Sequence, residues 1–232
     1  MARLHTSVSR ARDRRNRERE IVAATRLLFD ERGVQDAPIE DIARQVGINK
    51  ALIYRQFSSK EELFILTLTS YLGDLNALLA EDDPGLDARG RLERGWRRFC
   101  TFCLEHPAFL DCSLSLMRRP AAELRESVSD AVWFRLGQGM AQCLGRLSRI
   151  LAEGAEQGVF NVEDPDFTAN RLYTQTLGTM HLARVGVGVR EAAPGIPGVF
   201  GIEPEQVREA CVADALAAVG AAPTSASLSQ NR

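Results

Sequence analysis

The side chains with the clearest chemical potential lie in a short segment, GINKALIYRQFSSKEEL, at residues 47–63. Within it, Lys50, Tyr54, Arg55 and Gln56 bring hydrogen-bond donors and acceptors close together in the sequence. Arginine and lysine donate to O6 and N7 of guanine in the DNA major groove, and glutamine pairs with adenine. On a helix of about two turns, these side chains would form a surface that contacts base pairs.

The helix that carries these residues has further features of a DNA-contacting element. Asn49 precedes it and can cap the free N–H groups of its first turn. Leu52 either touches a thymine methyl group or packs against its neighbours. Lys60 lies in the first turn of the next helix, where free backbone N–H groups favour a phosphate. We expect the outward side chains to be Lys50, Ala51, Leu52, Tyr54, Arg55 and Gln56.

A helix this short must be held in place by other helices. The apolar spacing predicts a first helix from about Arg15 to Arg32 and a short second one over about Ile39 to Val46, which stops at Gly47. Ser59 and Glu62 have the spacing of a capping box that would start a fourth helix. The apolar faces that join these helices come from Ile42, Val46, Ile48, Ile53 and Phe57.

The segment from about residue 17 to residue 66 resembles the N-terminal domain of the TetR family of transcriptional repressors. The resemblance rests on AATRLLFDERG, IEDIARQVGI, NKALIYRQF and SSKEELF, in that order. It implies a two-domain, all-helical homodimer whose C-terminal domain binds a small molecule that reduces DNA affinity. It also implies that Lys60 binds phosphate and that Ile53 and Phe57 belong to the core. The residues that it places against DNA are Lys50, Ala51, Leu52, Tyr54, Arg55 and Gln56.

Some positions depart from the family pattern. The family commonly has Gly or Pro followed by Thr where this chain has Ala51 and Leu52, so a hydroxyl that often contacts DNA is missing. Pro38 and Ile39 stand where Ser or Thr usually begins the second helix. Glu40 faces DNA in some relatives, where a carboxylate accepts from cytosine N4 or makes no contact.

Large aromatic and sulfur-containing side chains in the rest of the chain suggest a cavity between helices. Ordinary core packing is the alternative for each of them. Tyr173 and His181 add polar groups on one predicted helix, where Leu177 and Met180 share their spacing. We therefore expect a small, largely apolar effector. The candidate effector-binding residues are Trp96, Phe99, Phe102, Met117, Trp133, Phe134, Tyr173, Leu177, Met180 and His181.

Four potential soft ligands lie close together in CTFCLEHPAFLDC: Cys100, Cys103, His106 and Cys112. Such a set could bind zinc or respond to oxidants. The opposing interpretation is that free cysteines are mostly small buried apolar residues. We expect no metal site and no cofactor, and metal or oxidant sensing through Cys100, Cys103 and Cys112 is kept as an alternative function.

Small side chains on two predicted helices would let a second copy of the chain approach closely. Packing within one subunit is the alternative, and the family resemblance favours a four-helix interface about a two-fold axis. The candidate dimerisation residues are Thr176, Thr179, Ala183, Ala210, Ala213 and Ala217.

Charge and apolar spacing place these features in an all-α chain. The net charge of −2 hides an asymmetry, because residues 1–70 hold 13 Lys and Arg against 10 Asp and Glu. Apolar spacing is helical almost throughout, with one long helix from Pro120 to about Gln157, and the Gly- and Pro-rich segment 188–204 is predicted to be a loop. No apolar run is long enough for a signal peptide or a membrane span, so we expect a cytoplasmic protein with reduced cysteines.

These observations predict the following domain organisation. A flexible basic arm covers 1–14, a helix-turn-helix domain 15–66, a ligand-binding and dimerisation domain 67–220, and a disordered tail 221–232. The sequence has no Gly-rich phosphate loop, no GxSxG and no HExxH, so we expect no enzymatic activity. The expected partners are double-stranded DNA, a small effector and a second copy, without a membrane. The alternative class is an all-α binding module that does not bind DNA.

Overall fold

Helices account for most of the chain, as the apolar spacing predicts. The structure is a computed structural model that describes residues 2–34, 37–81 and 85–220, with side chains from residue 12 onward. An all-α fold is confirmed, with one small β-hairpin added. The elements are α1 (Ala2–Arg32), α2 (Ile39–Val46), α3 (Lys50–Gln56), α4 (Lys60–Leu79), α5 (Ala88–Glu105), α6 (Pro107–Met117), α7 (Ala121–Glu126), α8 (Asp130–Glu156), α9 (Pro165–Val185), β1 (Val187–Ala193), β2 (Ile196–Gly201) and α10 (Pro204–Ala218).

The chain divides into two compact units. The first lies within residues 1–74 and 106–140, and the second within 75–105 and 141–232. This division differs from the predicted limits because α6 packs against α1, which brings a later part of the chain into the first unit. The predicted tail, 221–232, lies outside the described residues.

The core of the first unit forms around α1. Ile21 and Leu28 lie two turns apart on its buried face, where α2 and α3 also pack. The helix starts at Ala2, earlier than the predicted start near Arg15. No Gly or Pro occurs before Gly33, so the sequence contains no strong stop signal within this helix. Residues 2–14, predicted to be a flexible arm, therefore extend α1 in the structure.

The core of the second unit lies between α5, α9 and α10, which pack against one another. The buried faces recur at helical spacing on each of the three helices. They include Leu92, Trp96, Phe99, Cys100, Leu172, Leu177, Met180, Val207 and Cys211. Within the described residues, none of the helices combines the length and the apolar character needed to cross a membrane.

The predicted single helix from Pro120 to Gln157 is wrong, because α7 and α8 are separated at residues 127–129. Polar side chains at the start of α4 form hydrogen bonds with the residues that separate the two helices. Ser59 Oγ donates to the carbonyl of Ser127 at 3.0 Å, and Ser129 Oγ donates to Glu62 at 2.6 Å. The interruption therefore depends on tertiary hydrogen bonds that helical periodicity does not reveal.

The predicted loop at 188–204 is also wrong, because β1 and β2 form an antiparallel hairpin in which Val189 faces Val199. Gly195 adopts a φ of +74° at the turn. Gly188 lies close to the Phe200 ring, since a Cβ there would be 2.3 Å from it, so a larger residue at this position would displace that ring. Most side chains of the hairpin are exposed, so it lacks the buried face that makes a strand recognisable in a sequence.

Candidate nucleic-acid interface and ligand cavity

A tight turn joins α2 to α3 in the first unit. Gly47 has a φ of +72°, and its N–H donates to the carbonyls of Ala43 and Arg44. The N–H of Ile48 donates to the Ala43 carbonyl at 2.9 Å. These bonds satisfy the free carbonyls at the end of α2 and fix the direction in which the chain enters α3.

The predicted cap and core contacts of α3 are present. Asn49 Oδ1 accepts a hydrogen bond of 2.9 Å from the N–H of Ala51. Ile53 and Phe57 are buried on the inner side, with 1% and 3% of their surface exposed. These apolar contacts determine which face of the short helix remains outside.

The outer side of α3 carries most of the predicted DNA-contacting residues. Lys50, Ala51 and Arg55 are exposed, and 55% of the Tyr54 surface is accessible. Leu52 is half-buried, so it retains both a packing surface and an accessible edge. We call these five residues, 50–52, 54 and 55, the α3 surface. Two basic groups, an aromatic ring and two aliphatic side chains on one short helix suit a major groove.

One ion pair crosses from α2 to the α3 surface. Lys50 Nζ donates to the carboxylate of Glu40 at 2.8 Å. This hydrogen bond lowers the pKa of Glu40 and raises the pKa of Lys50. The charge of Lys60 also helps to lower the pKa of Glu40. Lys50 therefore pairs directly with this carboxylate, and Lys60 affects it only through its charge.

Gln56 differs from the other predicted DNA-contacting residues. Its Nε2 donates to the carbonyl of Arg14 at 3.1 Å, so its amide points toward α1. This contact shows that the basic segment of α1 lies beside α3. The exposed arginines of that segment are further candidates for DNA contact, signalled in the sequence only by their density: Arg12, Arg14, Arg15, Arg17 and Arg19.

The start of α4 is organised by a modified capping box. Ser59 Oγ accepts from the N–H of Glu62 at 3.0 Å, as predicted. The Glu62 carboxylate accepts from both the N–H and the Oγ of Ser58, and from Ser129 Oγ at 2.6 Å. Burial opposes ionisation of Glu62, but the hydrogen bonds from Ser129 and Ser58 outweigh it and lower the pKa of Glu62. Lys60 is exposed in the same turn, where a phosphate could bind.

A cavity of about 190 Å³ lies within the second unit. Three of the predicted effector-binding residues line it: Trp96 and Phe99 from α5, and Tyr173 from α9. The rings of Trp96 and Phe99 are 5.3 Å apart, and those of Phe99 and Tyr173 are 5.8 Å apart. Aliphatic walls complete the apolar part, mainly from Leu75, Leu79, Leu92, Leu144, Leu147 and Ile150.

The other predicted effector-binding residues do not line this cavity. Phe102, Leu177 and Met180 are buried in the core instead. His181 is exposed, because neighbouring residues on a helix point about 100° apart and Met180 takes the inward position. Met117, Trp133 and Phe134 belong to the first unit, where 69% of the Phe134 surface is exposed.

The cavity also has a charged lining that the predicted apolar site did not include. Arg91 forms an ion pair with Glu153, and Arg98 binds Glu81 at 2.9 Å. Arg91, Arg94 and Arg98 follow one face of α5 at intervals of three and four residues. This spacing is the feature of the sequence that indicates a charged face on the helix. The complete charged lining is Arg91, Arg94, Arg98, Arg146, Arg149, Glu81 and Glu153.

The structure separates the predicted dimerisation residues into three groups by their exposure. Thr176 is only 4% exposed and accepts a hydrogen bond of 3.1 Å from Trp96 Nε1, so it is unavailable to a second copy. Thr179 and Ala183 are half-buried on α9. The remaining three candidates are exposed on one face of α10: Ala210, Ala213 and Ala217.

The cysteines of the alternative sensing function, Cys100, Cys103 and Cys112, are all buried. Cys112 belongs to the first unit and the other two belong to the second. Burial raises the pKa of Cys103 and Cys112, which disfavours the reactive thiolate. Cys100 instead shares a hydrogen bond with Cys211, which raises the pKa of Cys100 and lowers that of Cys211. In the parts of the chain with described side chains, no three His, Cys, Asp or Glu residues form a metal-binding group.

One segment of the first unit is similar to a known family. Residues 21–66 fit the family described as "Bacterial regulatory proteins, tetR family". The repressor KstR2 of Rhodococcus jostii (strain RHA1) is 36% identical to this chain over 78 residues. That match covers 33% of this chain and 38% of KstR2, so it spans well under half of the relative.

Solved structures share the fold over most of the chain. RolR in complex with resorcinol has a TM-score of 0.65 at 19% identity, and the match covers 91% of each chain. FadR of Bacillus subtilis in complex with stearoyl-CoA has a TM-score of 0.62 at 16% identity, covering 86% of this chain and 98% of FadR. At these identities the comparisons establish a common fold.

Proposed function

We propose that this chain is a transcriptional repressor that binds a palindromic operator as a homodimer and is released by a small effector, because residues 21–66 match the tetR family of bacterial regulatory proteins. The α3 surface carries the proposal. Its helix is capped by Asn49 and held from behind by Ile53 and Phe57, while Lys50, Tyr54 and Arg55 stay accessible. A helix presented in this way can enter a major groove.

The assignment of roles on this surface follows from side-chain chemistry. Lys50 and Arg55 donate to guanine, Tyr54 supplies an aromatic edge with a hydroxyl, and Ala51 and Leu52 contact thymine methyl groups. Lys60 binds a phosphate at the start of α4, together with the free N–H groups of that turn. Gln56 is the least suited to base contact because its amide already donates to Arg14.

A homodimer is supported by the outer faces of α9 and α10. Ala210, Ala213 and Ala217 form an exposed stripe of small side chains on α10. On α9, Phe167 and Leu182 are large apolar side chains with 65% and 45% of their surface exposed. Pairing these faces with a second copy would bury the apolar side chains and present two α3 surfaces to two half-sites.

The cavity of the second unit is the proposed effector site. It combines the aromatic side chains of Trp96, Phe99 and Tyr173 with several arginines. The structures of RolR with resorcinol and of FadR with stearoyl-CoA contain small organic ligands in proteins of the same fold. This likeness supports a small organic molecule as the effector.

Helix α4 is the proposed connection between effector and DNA. Its first turn carries Lys60, and its last two turns carry Leu75 and Leu79, which line the cavity. An effector shifts this helix only by binding two states of the protein unequally. A tenfold loss of DNA affinity requires about 1.4 kcal/mol of such coupling.

Selection of bound sequences from random double-stranded DNA tests the proposal. We expect enrichment of a palindrome whose half-sites are about one helical turn apart, or a multiple of it. A chain lacking the α3 contacts, Lys50→Ala with Tyr54→Ala, serves as the control and should enrich no palindrome. Absence of enrichment by the native chain would favour the alternative, an all-α binding module that does not contact DNA.

A further inference from the structure

The charge of the cavity lining restricts the chemical class of its ligand. Five arginines and two glutamates line the cavity, so its charged lining is mainly cationic. The two glutamates pair with Arg91 and Arg98. A mainly cationic lining in a partly enclosed site with apolar walls favours an anion, because charges interact more strongly where water is scarce.

Two of these arginines have unused hydrogen-bonding capacity. Nε of Arg91 and Nε of Arg146 are buried, and within the described part of the chain neither has a hydrogen-bond acceptor. Arg91 uses a terminal nitrogen for Glu153. Arg146 forms no ion pair with any described residue. Unmet donors on a cation are costly, and a carboxylate can accept two parallel N–H bonds from one guanidinium.

The size and walls of the cavity restrict the rest of the ligand. An apolar cavity of about 150 Å³ takes up benzene, so 190 Å³ suits a single substituted ring. Trp96, Phe99 and Tyr173 offer aromatic faces and edges to such a ring. The apolar side chains and the arginines line the same cavity, so one molecule can satisfy both.

We propose that the effector is a compact amphipathic anion, a carboxylate attached to a single ring or an apolar body of similar size, with the carboxylate bound by Arg146 and Arg91. The inference rests on the proposed effector role of the cavity and specifies it. It revises the largely apolar effector expected from the sequence. Arg146 gains an acceptor on binding, while the pair of Arg91 with Glu153 positions the second guanidinium.

Fluorescence of Trp96 can test this directly, with benzoate as the probe and benzamide as its neutral counterpart. Trp133→Phe removes the other tryptophan of the chain, so that the signal comes from Trp96. We expect benzoate to change the fluorescence and to bind at least about tenfold more tightly than benzamide. Arg146→Gln should weaken benzoate binding by about ten- to a hundredfold and leave benzamide binding unchanged.

Two controls separate this inference from the proposed function. Arg171→Gln, an exposed position on α9 that does not line the cavity, should leave benzoate binding unchanged. Circular dichroism of Arg146→Gln should match that of the native chain, which excludes unfolding as the cause of weaker benzoate binding. Equal binding of benzoate and benzamide, or failure of benzoate and its ring-substituted derivatives to bind, overturns the anion assignment. Selective binding of benzoate without any effect on operator affinity contradicts the effector role instead.

Discussion

Lys50 and Glu40 form a 2.8 Å ion pair across the turn between α2 and α3, so the lysine of the α3 surface already has an ionic partner within the chain. Both side chains are more than half exposed, and exposed ion pairs of this kind contribute little to stability. Lys50 can therefore exchange the carboxylate for a base or phosphate at low cost. The carboxylate left behind would face the negatively charged DNA.

Glu40→Gln should strengthen DNA binding because it frees Lys50 and removes a negative charge beside Lys60. We expect an affinity about two- to tenfold higher at low salt, with a smaller gain at high salt. Fluorescence anisotropy with labelled operator measures this affinity. Glu31→Gln on α1 is a matched control that removes a negative charge elsewhere. Weaker binding of Glu40→Gln would show that the carboxylate accepts from a cytosine N4 instead.

Specific and general DNA contacts should respond differently to mutation. Lys50→Ala should cost roughly 1–3 kcal/mol and relax the preference at one operator position if Lys50 contacts guanine, and Tyr54→Ala should abolish specific binding. Lys60→Ala should weaken binding to all sequences alike and reduce the salt slope by about one, because it removes a phosphate contact. Circular dichroism should show an intact fold in each variant. Unchanged operator binding in all three would contradict the assigned interface.

Local signals explain why the α2–α3 motif could be predicted from the sequence. Gly47 occupies a left-handed conformation, Asn49 caps the next helix, and Ile53 and Phe57 face inward, each within a few residues of the others. The cavity was only partly predictable, since its arginines come from separate helices, α5 and α8. Apolar content indicated a pocket, but which aromatic side chains line it depends on how α5, α8 and α9 pack.

The segments that were predicted wrongly take their structure from contacts between residues that are distant in the sequence or on another strand or helix. The break between α7 and α8 depends on Ser59 and Glu62, which lie more than sixty residues away in the sequence. The hairpin is stabilised by pairing of β1 with β2 and buries little of its own surface. Its sequence therefore lacks the clear alternation of apolar and polar residues that would predict strands. Thr176 was misassigned because a small polar side chain suits both a dimer contact and a hydrogen bond to Trp96.

Glu62 should make the stability of the first unit depend on pH. Its folded-state pKa is lowered, so its contribution is present above the unfolded pKa of about 4.3 and is lost as pH falls through the folded value. Glu62→Gln should destabilise the protein by about 1–3 kcal/mol at pH 7, because Ser58 and Ser129 lose a charged acceptor. The difference from the native chain should shrink toward pH 3. Urea unfolding at several pH values measures the difference in the free energy of unfolding. A difference that does not change with pH would contradict a charged role of Glu62.

A charged side chain in the proposed dimer interface should separate the subunits. Ala213→Glu places a carboxylate in the exposed small-residue stripe of α10, where a second copy would bury it without a partner. We expect monomers in sedimentation experiments at concentrations that give native dimers, and operator affinity about a hundredfold lower because one half-site contact is lost. Ala80→Glu, exposed after α4, is the control. A native chain that sediments as a monomer would overturn the proposed interface.

Operator and effector should weaken each other's binding by the same factor. In the proposed mechanism the effector acts through α4, which carries Lys60 at one end and the cavity-lining Leu75 and Leu79 at the other, so the two ligands would favour different positions of one helix. The coupling free energy is a property of the protein with both ligands and does not depend on which binds first. If benzoate or a related carboxylate lowers operator affinity tenfold, saturating operator must lower the affinity for that carboxylate tenfold, or about 1.4 kcal/mol. Calorimetric titration of the carboxylate into the protein, with and without operator, measures this factor. Equal affinities in the two titrations would rule out release by this ligand, even if it binds the cavity.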